Sequence, residues 1–308
     1  MTDSFPITGF CGTIRTQVPL DRLTTWRIGG PARWLVRPAN SQALSQLMTG
    51  LPHNIPQFWL GGGSNILVAD EGFSGVVVDL KGRLNKIELA EKNSIIVAAG
   101  ATTRATAHFA RRHGLSGAEF LGGIPGTIGG ALVMNAGAYG SAMNNIVSSA
   151  TLIDKNGISV KFTTQQLGLE YRKSDLPTGS VVTEVRLNLS PDDPLAIKKR
   201  MSEINLKRRN SQPLKFYSAG STFKNPPQGP AAWRLIADAG MRGARVGAAE
   251  VSEQHCNFFL NRGRATAEDM RALIRLVQQR VLESCGTKLK TEVLLMAPNG
   301  IRGEEDSG

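Results

Sequence analysis

Three observations predict an α+β fold for this chain. Strand-like apolar runs and helical runs follow one another without the regular alternation of a doubly wound sheet. The middle of the chain, residues 120–153, carries no charged side chain, yet glycine and Pro125 interrupt it repeatedly. The last third holds one long amphipathic helix with a signal at each end, and a strand follows it.

Taken in order, residues 1 to about 20 read as a lead-in arm. From Trp26 to about Leu80 the pattern is strand, helix, strand, with a strand over 33–37, a short helix over 41–48 and a buried strand over 76–78. Between them, Gln57-Phe58-Trp59-Leu60 is a short apolar strand that runs into Gly61-Gly62-Gly63-Ser64-Asn65 and then Ile66-Leu67-Val68. Further strands are expected over 94–99, 150–154 and 181–189. A helix over 103–113 intervenes, and Gly114 is placed to end it. Asp192-Asp193-Pro194 opens a basic helix over 195–209. Thr266 and Asp269 have capping-box spacing, with Asp in place of the usual Glu. Met270, Leu273, Ile274, Val277, Val281 and Leu282 then recur at helical spacing up to Gly286, a natural C-cap. A strand over 287–296 closes the ordered chain, and an acidic tail over 303–308 is expected to fray.

A length of 308 residues allows two or three domains, and 41% hydrophobic composition is ample for a core. The formal net charge of +11 favours polyanionic partners, among them nucleic acid, nucleotide cofactors and nucleotide sugars. Apart from Lys198-Lys199-Arg200 and Lys207-Arg208-Arg209 the cations are dispersed, and few aromatics lie between them. That pattern argues against a dedicated nucleic-acid stripe. The three cysteines are odd in number and far apart, so neither a disulfide framework nor a metal site is indicated. A reducing compartment suits them. The start of the chain has no basic segment followed by an apolar core, so no signal peptide is read there.

The uncharged stretch is too broken for a membrane helix, which wants about 20 predominantly apolar residues. Its core reads Gly122-Gly123-Ile124-Pro125-Gly126-Thr127-Ile128-Gly129-Gly130, and after Ala131 to Met134 continues Asn135-Ala136-Gly137-Ala138-Tyr139-Gly140. Glycine lets main-chain amides approach a ligand closely, and successive amides can cradle an anion without Lys or Arg. The Gly61–Asn65 loop has the same character. Either loop alone is as easily a tight turn. Two of them fit a dinucleotide, which has both a pyrophosphate and a ring system to hold. Neither is a Rossmann fingerprint, and no Gly-Lys-Ser/Thr closes a Walker loop.

Four further residues, in three segments, could carry chemistry. Ser221 and Lys224 lie in a small, polar segment that ends at Pro226-Pro227, either an ordered turn or a site. It is not a hydrolase elbow, because Gly-x-Ser-x-Gly is absent. Strand alternation puts Glu292 on the face of Leu294 and Met296, at a sheet rim or part-buried. Arg172, in Tyr171-Arg172-Lys173-Ser174, reads by composition as a surface charge.

Together these segments resemble one family, the UDP-N-acetylenolpyruvoylglucosamine reductases, also called UDP-N-acetylmuramate dehydrogenases. The resemblance covers about residues 22–298. It rests on seven pieces in order: Thr25-Trp26-Arg27-Ile28-Gly29-Gly30-Pro31-Ala32, the Gly61–Asn65 loop, Ile124 to Gly130, Asn135 to Gly140, Tyr171-Arg172-x-Ser174, Gly220-Ser221-x-Phe223-Lys224-Asn225-Pro226, and Thr291-Glu292-Val293.

The resemblance implies an FAD-binding fold of the vanillyl-alcohol-oxidase type. One FAD subdomain would span 20–80, joined by the strand at 287–298, and a second 81–193. A substrate domain would span 194–286. It implies non-covalent FAD, NADPH as hydride donor, and reduction of the enolpyruvyl ether of UDP-N-acetylglucosamine to UDP-N-acetylmuramate for peptidoglycan and cell-wall synthesis. Ser221 would give the proton to carbon. Arg172 and Glu292 would stabilise the enolate-like charge. Gly61, Gly62, Gly63, Ser64, Asn65, Gly123, Ile124, Pro125, Gly126, Thr127, Gly129, Gly130, Asn135, Gly137, Ala138 and Tyr139 would hold FAD. Tyr171, Lys224 and Asn225 would meet the UDP-sugar. A cytoplasmic monomer is expected, with no bound metal, no nucleic-acid partner and no membrane insertion.

Ser174 runs almost directly into the next strand, which matches the branch of the family that lacks a long substrate-closing loop there. One departure stands out. Trp233-Arg234 stands where the resemblance implies a small residue and lysine, so the cation is kept while the substrate contacts implied at that point do not carry over. A flavin oxidase of the same fold is the alternative enzyme, though neither glycine loop has the His or Cys that would tether a flavin. A nucleic-acid-binding protein without catalysis would instead be colourless and strongly salt-sensitive.

Overall fold

The computed structural model describes residues 4–302, and the acidic tail at 303–308 lies outside them. The elements mix as α+β. The chain divides into two compact units. One comprises Met1–Arg15, Leu35–Gly62 and Val77–Arg208. The other comprises Thr16–Trp34, Gly63–Val76 and Arg209–Gly308.

The first unit is built on an antiparallel five-stranded sheet. In spatial order its strands are Ser159–Thr163, Val147–Ile153, Val181–Asn188, Ser94–Ala98 and Ile87–Ala90. The three inner strands alternate, so Ala150, Leu152, Val185, Leu187, Ile95 and Val97 are buried. Helix Thr103–Arg112 starts where Thr102 Oγ1 accepts the amide of Ala105, 3.1 Å away. It stops before Gly114, whose φ of 63° is left-handed. The basic helix Pro194–Ser211 begins after Asp193, whose carboxylate accepts the amides of Leu195 and Ala196. Its Arg200 reaches the carboxylates of Glu119 (2.8 Å) and Asp192 (2.5 Å).

The second unit packs helices Ala232–Asp238 and Ala267–Cys285 with an antiparallel sheet of Arg245–Val246, Ala249–Val251 and Phe259–Asn261. Trp26 is fully buried in its core with Phe223, Phe259, Leu273 and Val277. The indole Nε1 of Trp26 donates to the carbonyl of Phe259 at 2.7 Å, satisfying its one polar atom. Helix Ala267–Cys285 has the expected reciprocal capping box between Thr266 and Asp269, and Gly286 caps its C-terminus with φ 71°. The carboxylate of Asp70 adds a second cap by accepting the amides of Ala267 and Glu268.

A four-stranded sheet has the order Gly12–Pro19, Pro31–Pro38, Phe73–Asp79, Gln57–Leu60. Two expectations are corrected here. The lead-in arm contains strand Gly12–Pro19, which is almost wholly exposed and so carries no apolar periodicity to betray it. The last strand does not run over 287–296. Only Leu294–Ala297 is regular, parallel to Ile66–Val68 and antiparallel to Gly300–Arg302. Its length is set by the three-residue partner Ile66–Val68. Among the described residues, no helix is long and apolar enough to cross a membrane.

Candidate functional site

In the first unit the two glycine loops lie against each other. A Cβ built at Gly62 would stand 2.5 Å from the Cα of Gly126, and one at Gly61 would stand 2.7 Å from Thr127 Oγ1. Backbone therefore meets backbone, and a side chain at Gly62 would push the loops apart. Thr103 anchors the second loop. Its hydroxyl donates to the carbonyl of Ile124 at 2.5 Å, and its amide donates to the carbonyl of Gly126 at 3.2 Å. Thr127 then caps the short helix Ile128–Val133. Pro125 is exposed, whereas Gly123, Thr127 and Gly129 are buried.

The helical glycines separate into two kinds. Gly129 is demanded by packing, because its Cβ would lie 2.8 Å from that of Ala99. Gly130 is exposed, and its Cβ would meet only Thr127 Oγ1, at 3.6 Å. Glycine within a helix costs about 0.5–1 kcal/mol relative to alanine. Nothing in the fold returns that cost, so Gly130 fits a ligand lying on the helix face. The exposed backbone face at Gly130 has room for a flat group such as the rings of FAD.

The run continues into a hairpin, Gly137–Ala138 paired with Ser141–Ala142, with Tyr139-Gly140 at its tip. The Tyr139 ring lies over Gly123, leaving no room for a Cβ there. Burial pushes the Tyr139 phenol up, opposed by Arg208. Arg208 is itself pushed down, first by desolvation, with nearby Arg104 adding repulsion and Tyr139 opposing. Arg208 was not among the site residues expected from the sequence. Its place in the 207–209 basic run was the only available signal.

The segment around Arg172 is tied to this hairpin and helix by three side-chain bonds. Asn135 Nδ2 donates to the carbonyl of Glu170 at 2.7 Å, Arg172 Nη2 to that of Gly137 at 3.1 Å, and Ser174 Oγ to that of Val133 at 2.7 Å. Asn135, Tyr139 and Arg172 have φ of 37°, 56° and 56°. Left-handed backbone costs a side-chain-bearing residue energy, and such positions concentrate at functional sites. Arg172 is half-buried with its guanidinium 5.1 Å from the exposed ring of Tyr171, so it is not the plain surface charge that composition implied.

The second unit holds Ser221 and Glu292, both half-buried, on adjacent strips of backbone. The amide of Glu292 donates to the carbonyl of Thr222 at 2.8 Å, and that of Lys224 to Lys290 at 2.9 Å. Glu292 precedes the strand Leu294–Ala297, so strand alternation does not set its direction as expected. Asn65 fixes it instead: Asn65 Nδ2 donates to the carbonyl of Glu292 at 3.0 Å, and the amide of Leu294 donates back to Asn65. Gly63 is obligatory in that loop, with φ 62° and the carbonyl of Leu23 where a Cβ would be. Ser64 is half-buried beside it.

Asn225 Oδ1 accepts the amide of Ala232 at 3.0 Å, at the start of helix Ala232–Asp238. Trp233 is exposed on that helix, its ring centroid 6.3 Å from that of His255. Asn257, inside the apolar run Cys256–Leu260, was not singled out from sequence. It is buried and bonds the backbone of Phe223.

A family model described as UDP-N-acetylenolpyruvoylglucosamine reductase, C-terminal domain, matches residues 212–296, and one described as FAD binding domain matches residues 32–163. A UDP-N-acetylenolpyruvoylglucosamine reductase from Magnetococcus marinus is 47% identical over 97% of both chains. One from Acidiphilium cryptum is 41% identical over 92% of this chain and 91% of its own. A crystal structure of the reductase from Thermus caldophilus superposes with a TM-score of 0.81. It is 37% identical, covering 93% of this chain and all of that one.

Proposed function

Because this chain belongs to the UDP-N-acetylenolpyruvoylglucosamine reductase family, we propose that it reduces UDP-N-acetylenolpyruvoylglucosamine to UDP-N-acetylmuramate, using FAD and NADPH, in peptidoglycan precursor synthesis. The observation that carries most weight is the 47% identity across 97% of both chains. FAD, when bound, supplies the two-electron relay from NADPH to the enolpyruvyl group.

The protein side of the reaction is a matter of charge and proton placement. Adding hydride to an enol ether is slow unless the adjoining carboxylate can take developing negative charge. Preorganised donors aimed at such charge are worth a few kcal/mol each. Arg172 and Glu292 fill that role, Arg172 by charge and Glu292 by a shared proton. The Ser221 hydroxyl gives its proton to the neighbouring carbon, which is basic enough in the intermediate to take it. Tyr171, Lys224 and Asn225 meet the UDP-sugar, and the uncharged glycine loops hold FAD through backbone. Residues 20–80 with 287–298, and 81–193, serve the cofactor, while 194–286 serves the substrate. The enzyme works as a monomer in the cytoplasm, where its three free cysteines stay reduced.

The test is anaerobic. NADPH should bleach the flavin of the purified protein, and UDP-N-acetylenolpyruvoylglucosamine should restore the oxidised spectrum. Bleaching without restoration would remove the substrate assignment and favour an oxidase of this fold. A colourless protein that takes up no FAD would remove the flavoenzyme altogether.

A further inference from the structure

One side chain holds both backbone polar atoms of Phe223. The Phe223 amide donates to Asn257 Oδ1 at 2.9 Å, and Asn257 Nδ2 donates to the Phe223 carbonyl at 2.8 Å. Next to it, the Thr222 amide donates to the Asn257 carbonyl at 2.8 Å. Ser221 pairs with Phe258, and Phe223 pairs with Thr291 on the other side. Residues 221–224 are thus the middle strip of an irregular ladder, with 257–258 on one edge and 290–292 on the other. No regular strand is formed at either edge, so the register is not fixed by a long run of backbone bonds. The Asn257 amide stands in for the missing backbone partner. It is 3% exposed, so water does not compete for these bonds.

We propose that Asn257 is a positioning residue that sets where Ser221 delivers its proton. This rests on the assignment of proton delivery to Ser221. The physical reason is register. The hydroxyl lies two residues before the clamped peptide, and the same strip bonds Glu292 through Thr222. Loosening the clamp moves Ser221 relative to Glu292 without removing either group. A misplacement of about 1 Å can cost about 10²-fold in rate.

Asn257→Asp makes the test sharp. Its ionised carboxylate still accepts from the Phe223 amide but cannot donate to the carbonyl. Its protonated form can do both. Burial raises the range in which the new carboxyl ionises, so the holoenzyme variant should bleach with NADPH at the parent rate and reoxidise with substrate about 10²-fold more slowly at alkaline pH, where the carboxylate is charged. The defect should shrink as the pH falls and the carboxyl takes up its proton. In a Ser221→Ala background, Asn257→Asp should slow reoxidation no further, because it acts through that hydroxyl.

Equal losses in both half-reactions, an additive double variant, or a defect that does not respond to pH would overturn the proposal. Loss of folding or of FAD by Asn257→Asp and also by the smaller Asn257→Ser would make Asn257 a structural residue, and would overturn it too. The parent assignment fails separately: if Ser221→Ala alone reoxidises at the parent rate, Ser221 is not the donor, and Asn257 has nothing to position.

Discussion

Asn135 Nδ2 donates to the carbonyl of Glu170 at 2.7 Å, and Asn135 Oδ1 accepts the amide of Asn144 at 3.0 Å. One buried side chain therefore joins the end of the glycine-rich run to the turn at Met143–Asn145, just past the hairpin, and to the segment bearing Arg172. Within this unit, a group expected on the cofactor and a group expected on the reacting charge share a single frame.

Arg172 is the first place to press on that frame. Its φ of 56° strains any side chain but not glycine. Arg172→Gly should stay within about 1 kcal/mol of parental stability, since relief of about 1–2 kcal/mol offsets the lost bond to Gly137. Reoxidation by substrate should nevertheless fall about 10²-fold or more. Arg172→Lys should fare little better, because a point charge does not reproduce the guanidinium fork. Thermal melts with stopped-flow absorbance would check both. An Arg172→Lys enzyme at the parent rate would remove the need for the fork.

Ser221→Ala should leave NADPH bleaching intact and slow reoxidation by about 10²–10⁴-fold, the range for a positioned proton donor. Turnover surviving within a few-fold would mean that another group protonates the carbon.

Two glycine substitutions should behave oppositely. Gly62→Ala sets a methyl 2.5 Å from Gly126 Cα and should destabilise by about 1–3 kcal/mol even in the apoprotein. Gly130→Ala has room and should stabilise the apoprotein by about 0.5–1 kcal/mol. It should weaken FAD binding about tenfold or more, as overpacking against a ligand would. Melting the apoprotein and titrating FAD separates the two effects. Unchanged FAD affinity in Gly130→Ala would mean that the cofactor does not lie on that helix face.

Acid should loosen the basic helix at Glu119. Burial pushes its carboxyl up. Hydrogen bonds from its own backbone and the Gly117 amide, then from Arg200 and Ser116, outweigh that and hold it low. A folded-state value below the unfolded one contributes stability above the unfolded value, and that contribution is lost as pH falls through the folded one. Asp192, held low chiefly by Arg200, adds in the same direction. Glu119→Gln should therefore melt below the parent at neutral pH, and the gap should close below the ordinary carboxylate range. A pH-independent gap would mean that packing alone was lost.

What the sequence made legible was local. The helix Ala267–Cys285 was readable because its apolar stripe, its Thr266–Asp269 box and Gly286 all lie within one stretch. The strands of the second unit were not. Arg245–Val246, Ala249–Val251 and Phe259–Asn261 are too short for periodicity, and their partners decide them. The glycine loops were visible as glycine, but their mutual contact at Gly62 and Gly126 was not, because it spans distant positions. Asn65 was expected to hold cofactor, and its bond to Glu292 could not be foreseen for the same reason. Nor does composition reveal left-handed backbone at Arg172 or Tyr139, residue types with no bias towards it.

The bond from Asn65 to the carbonyl of Glu292 links positions 227 apart. On a ribosome adding about 5–20 residues per second, roughly 10–45 s separate the emergence of its two ends. The loop at Asn65 and the Ile66–Val68 strand must wait that long for Leu294–Ala297 to arrive. The seat of Glu292 therefore sets only after the whole stretch between Asn65 and Leu294–Ala297 has been made.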